Sequence, residues 1–140
     1  MLHEAATEAE AEAEAILDAY LGLVAEAIET VGDERVAAET SIDGDRLEGT
    51  TDEGLSGLSI EETAAILALA GDREPETIVY ELRDHLLMGM TTAVLDVDTI
   101  AGAIDADLSG QEVQQALEGR APMTLAQLSE IQAVIEDRKR

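Results

Sequence analysis

Cysteine, tryptophan and phenylalanine are absent from the 140 residues, and Tyr20 and Tyr80 are the only aromatics. Without cysteine the chain forms no disulfide, thiolate nucleophile or Cys-ligated metal centre. A core must therefore be assembled from Leu, Ile, Val, Met and Ala. Basic charge is nearly as scarce. Lys139 is the only lysine among 8 basic residues, set against 32 Asp and Glu, for a formal charge of -24. No apolar run approaches the ~20 residues of a membrane-spanning helix, and Met1-Leu2-His3-Glu4 lacks the basic start of a secretory leader. The expectation is a soluble, cytoplasmic protein with no membrane partner. Hydrophobic residues still make up 46% of the chain, enough for one core, so the acidity does not imply disorder.

Carboxylates spread from Glu4 to Asp137, beside a single lysine, suggest a protein of a halophilic archaeon living in molar salt. In the segment from Glu8 to Glu14, Glu8/Glu12 and Glu10/Glu14 are like charges one helical turn apart. Each such pair costs ~0.2–0.5 kcal/mol in dilute buffer. At ~1 M salt the Debye length falls to about 3 Å and the repulsion nearly vanishes.

Periodicity and capping signals predict an all-α chain of about eight helices and no strand. Ala and Glu are strong helix formers, and Ile16, Tyr20, Leu23, Ala27 and Val31 continue them as one apolar stripe. Gly32 is placed to end that helix and Asp33 to cap the next. Ser59-Ile60-Glu61-Glu62 is a capping box before an apolar run ending at Gly71-Asp72. Pro75 suits the first turn of a helix striped by Ile78, Val79, Leu82, Leu86, Met90 and Val94. Asp98, Ser109 and Thr124 are expected to start the remaining three.

The two halves of the chain align with small indels: Val36-Ala37-Ala38 falls on Ile100-Ala101-Gly102 at a shift of 64, and two later anchors share a shift of 65. Glu53-Gly54 falls on Glu118-Gly119, and Leu58-Ser59-Ile60 on Met123-Thr124-Leu125, both shifted by 65. This predicts a single domain, 1–140, made of pseudo-repeat units of about 1–71 and 72–140 around a central helix near 75–95.

In the second unit, Thr99-Ile100-Ala101-Gly102-Ala103-Ile104, Leu108-Ser109-Gly110-Gln111-Glu112-Val113 and Leu117-Glu118-Gly119-Arg120-Ala121-Pro122-Met123-Thr124-Leu125 resemble the lambda-repressor (Cro/cI-type) helix-turn-helix. The match covers roughly residues 97–135. It carries extra turn residues at Ala106-Asp107 and lacks the residue usually found between Glu118 and Gly119. The first unit, about 33–70, matches more weakly. As a whole the chain is also similar to small haloarchaeal proteins. The resemblance implies a second short helix that reads DNA through Gln111, Gln114 and Gln115, with Arg120 beside it. Glutamine suits the task, since its amide can pair bidentately with adenine.

Charge argues the other way: Glu112, Glu118, Asp105 and Asp107 surround that helix, and phosphate contacts need Lys and Arg. The equivalent first-unit helix, Gly44 to Asp52, is acidic enough to repel a phosphate backbone. Two readings result. One is a non-enzymatic regulatory or adaptor protein of helix-turn-helix type that contacts DNA through the second unit. The other is a protein–protein interaction module that binds no nucleic acid, its partner or a second copy docking on the Met-rich stretch 86–95. His85 stands alone inside its helix, and Asp43-Gly44-Asp45 lacks the alternating acids of a calcium loop, so no metal or cofactor is expected. With no phosphate loop and no base for a Ser or Thr nucleophile, no enzyme is expected either.

Overall fold

The computed structural model describes residues 12–40, 42 and 54–139. Seven α-helices occur among them: α1 (Ala13–Val31), α2 (Asp33–Thr40), α3 (Ile60–Ala70), α4 (Pro75–Ala93), α5 (Val97–Ala103), α6 (Gly110–Leu117) and α7 (Leu125–Lys139). A 3-10 turn spans Gly54–Gly57, and no strand is present among the described residues. The first-unit helix expected over Gly44–Asp52, the Asp43-Gly44-Asp45 turn and His3 lie outside the described residues.

Local chemistry sets most helix ends. Gly32 takes a left-handed φ of +98° and its N–H donates to the Ile28 carbonyl at 2.7 Å, closing α1. Asp33 is the first residue of α2 rather than its cap, where its charge favours the positive end of the helix dipole. Ser59 and Ser109 form reciprocal capping boxes with Glu62 and Glu112. Thr124 and Gln127 do the same at the start of α7, where the Gln127 N–H donates to Thr124 Oγ1 at 3.2 Å. Pro75 occupies the first turn of α4. The start of α5 corrects the expectation at Asp98. Asp96 is the cap, its carboxylate accepting the Thr99 N–H at 2.8 Å, and that bond holds its pKa below the usual carboxylate range.

The core is aliphatic, as the shortage of aromatics requires. α1 packs against α3 and α7, α4 against α3 and α7, and α5 against α6. On α1 the buried face is Ile16, Tyr20, Val24, Ala27 and Ile28; Leu23 and Val31 are only half-buried. The buried stripe therefore takes Val24 in place of Leu23 and Ile28 in place of Val31, and keeps Ala27. α4 is not the enclosed central helix. Ile78, Val79, Leu82, Leu86 and Gly89 are buried, but Tyr80, Leu87 and Met88 are exposed. Gly89, within the stretch 86–95 expected to dock a partner, is covered within the fold. The chain leaves α4 through Val94, whose left-handed φ of +57° breaks the helix; α4 and α5 meet at 93°.

Candidate functional site

Two surfaces are candidates for a functional site, and they adjoin at the C-terminal end of α6. The first is the face expected to read DNA. Gln111 and Gln114 are exposed on α6, while Gln115 is half-buried. The backbone brings Arg120 back to this helix, its N–H donating to the Gln115 carbonyl at 2.8 Å. Gln114, Arg120 and Glu118 then converge. Gln114 Nε2 donates to Glu118 Oε1 at 2.9 Å, and Arg120 Nη2 pairs with Glu118 Oε2 at 2.7 Å. One carboxylate thus holds both the amide that would read a base and the guanidinium that would meet a phosphate. Arg138 lies thirteen residues beyond Leu125 on α7, about 20 Å along the axis at 1.5 Å per residue.

The second surface is a hollow of about 720 Å³ between the start of α3, the outer face of α4 and the end of α6. Val79, Tyr80, Leu87 and Leu117 give it an apolar lining, and Glu61, Glu76, Asp84 and Glu118 stand around it. Its single base, Arg83, is held from two sides. Arg83 Nη2 donates to Glu61 Oε1 at 2.7 Å, and the guanidinium lies over Gly119. A Cβ on Gly119 would come within 3.0 Å of Arg83 Cζ, and its φ of +81° is one that side chains rarely adopt. Glycine there lets Arg83 sit flat against the end of α6. A second hollow of about 520 Å³, lined by Leu87, Met90, Thr91, Val94 and Leu95, continues the surface past Leu87.

A partly buried polar cluster is not evident from the sequence pattern. Gln132 is fully buried on α7 and its Nε2 donates to Glu136 Oε1 at 2.7 Å. The same oxygen lies 3.5 Å from His85 Nε2 of α4, an ion pair when the imidazole is protonated. Tyr20 of α1 is also fully buried; burial, and secondarily the Glu136 charge, raise its hydroxyl above the ordinary tyrosine pKa. One position carries a signal. Gln132 falls four residues after Leu128 and three before Ile135, on the apolar face itself. Among the described residues, no three His, Asp or Glu side chains are grouped as a metal ion would need. No single described helix is long and apolar enough to cross a membrane.

The fold and these two surfaces define an acidic, all-helical chain with one apolar face left open. More particularly, it belongs to a Family of unknown function (DUF5791), matched over residues 16–138. No curated protein and no solved structure matches it.

Proposed function

We propose that this chain is a non-enzymatic regulatory or adaptor protein that acts as a protein–protein interaction module, docking its partner on the outer face of α4. One observation carries the reading. Among the described residues, the exposed large hydrophobic residues, Tyr80, Leu87, Met88 and Val94, all stand on this helix or its cap. Exposed apolar residues scattered singly need no explanation, whereas a contiguous strip marks an interaction site. Val94 supports the same conclusion. It is 89% exposed and held at positive φ, where a β-branched side chain is a genuine outlier and Gly or Asn would be easier. A strained, solvent-facing valine is better accounted for by a contact it makes than by the stability of its own helix.

The helix-turn-helix shape of the second unit then serves as scaffold. DNA contact through Gln111, Gln114, Gln115 and Arg120 is favoured only by the exposure of Gln111 and Gln114. It is opposed by the engagement of Gln114 and Arg120 with Glu118. The bridge between Ser59 and Thr124 supports an origin by duplication, because it joins residues that the offset of 65 aligns. The spread of carboxylates suits a protein working in the cytoplasm of a halophilic archaeon.

The test pairs two measurements. A photo-crosslinking residue placed at Leu87 in cells expressing the chain is expected to yield a discrete protein adduct, and the same residue at Gln111 none. Labelled genomic duplexes titrated in ~2 M KCl, where screening removes non-specific attraction, are expected to show no saturable anisotropy change. Saturable binding lost in a Gln114→Ala, Gln115→Ala double variant would overturn the proposal in favour of DNA reading.

A further inference from the structure

We infer that the partner presents a basic amphipathic helix, laid along α4 with its apolar stripe on Tyr80, Leu87 and Val94. This rests on the docking reading above and adds the chemistry of what docks. Tyr80, Leu87 and Val94 are seven residues apart. Tyr80 and Leu87 lie one heptad apart on α4 and Val94 stands at the cap that ends it, so one apolar position per heptad faces outward for a second helix to follow. The strip from Tyr80 to Val94 is about 20 Å long at 1.5 Å per residue, which matches a partner helix of four turns. The two hollows meet at Leu87, so the groove runs on from one into the other.

Charge selects the partner. Glu61, Glu76, Asp84 and Glu118 are all exposed at the first hollow; Arg83 engages Glu61 and Arg120 engages Glu118, which leaves Glu76 and Asp84 to meet a partner's charge. Nucleic acid and anionic lipid would meet these carboxylates at contact distance. A second copy fares no better. An isologous contact brings the same patch against itself, so Glu76 and Asp84 would face the same carboxylates of the other copy. Each copy has 8 basic residues in all, and Arg83 is the only one on α4. A helix with leucines at heptad spacing and Arg or Lys on its flanks satisfies both the apolar floor and the acidic rim.

The experiment uses the intact chain and three synthetic helical peptides sharing one heptad leucine stripe, flanked by Arg, Gln or Glu. Anisotropy is read in ~0.5 M KCl, where the Debye length of about 4 Å leaves only contact pairs. The Arg-flanked peptide is expected to bind, and Leu87→Ser or Tyr80→Ser to weaken it about tenfold, a loss of ~1.4 kcal/mol. Glu76→Gln with Asp84→Asn should weaken the Arg-flanked peptide alone, while Gln111→Ala changes nothing. Circular dichroism confirms that each variant is folded. Arg-flanked binding that survives Leu87→Ser would be mere charge attraction and would overturn the inference. Equal, Leu87-dependent binding of the Gln-flanked peptide would overturn the basic partner and leave the docking face standing. If sedimentation shows self-association abolished by Leu87→Ser, a second copy covers the face and the inference fails. If no peptide binds in a Leu87-dependent way and the chain stays monomeric, the inference and the docking reading fall together.

Discussion

Ser59 and Thr124 face each other across an antiparallel bridge, and each is at the same time the cap of its own helix. The Ile60 N–H donates to the Met123 carbonyl and the Leu125 N–H to the Leu58 carbonyl, both at 2.9 Å. The two donors are 65 residues apart, as are the two acceptors. Glu62 and Gln127, each closing its capping box, keep the same offset. The starts of α3 and α7 are thus fastened to each other by two equivalent bonds.

Removing either cap is expected to loosen this junction. Ser59→Ala and Thr124→Ala should each cost about 1 kcal/mol in urea unfolding, within the ~0.5–2 range for lost caps. The pair shares one bridge, so the double variant should depart from the sum. Strict additivity would show that the two caps act independently.

At the end of α4 the expected sign is reversed. Val94→Gly should raise stability by roughly 0.5–1 kcal/mol, because relief of ~1–2 kcal/mol of left-handed strain exceeds the added freedom of glycine in the unfolded chain. The same variant should weaken partner capture by the α4 face. A lower melting temperature would mean that the valine side chain packs within the fold.

Tyr20 should make the fold sensitive to alkali. Its hydroxyl keeps its proton in the folded state to higher pH than in the unfolded chain, whose tyrosines titrate near 10. This contribution to stability is complete below pH 10 and is lost as pH rises above it, since only the unfolded state then releases the proton. Absorbance titration should show Tyr20 ionising together with unfolding. The hydroxyl has no hydrogen-bond partner among the described residues. Tyr20→Phe should therefore be neutral or stabilising, and should flatten the alkaline limb. A loss beyond ~1 kcal/mol would reveal a partner for that oxygen.

Dilution of salt is the fourth test. Below a few hundred millimolar KCl the like charges along the chain are less screened, and helical circular dichroism should fall. An unchanged spectrum in low salt would remove the halophilic reading.

Much of the fold was legible because its signals are local. Ser59, Ser109 and Thr124 are short hydroxyl side chains followed three residues later by Glu or Gln, and a cap needs nothing further away to declare itself. Asp96 was missed in favour of Asp98 because two acids lie within one turn and only the backbone geometry chooses between them. The α1 stripe drifted after Tyr20 because Leu23 and Val24 are equally apolar, and contact with α3 and α7 decides which is buried. α6 was legible as a helix, since Ser109 and Val113 fix it. Its chemistry was not legible: the hold of Glu118 on Gln114 and Arg120 depends on a left-handed Gly119 that folds Arg120 back. The open face of α4 was hidden by its own hydrophobicity, because Tyr80 and Leu87 read like core residues until the neighbours that would cover them prove to lie elsewhere.

The pairing of α1 with α7 has a consequence for synthesis. Ile16, Tyr20 and Val24 emerge from the ribosome about a hundred residues before Leu128, Ile131 and Ile135, the partners that complete the core. At ~5–20 residues per second, that interval is several seconds or more, during which α1 has only nearby segments to cover its apolar side. Until α7 is made, α1 has α3 to pack on but not the helix that completes its burial, so the core stays open on one side through that interval.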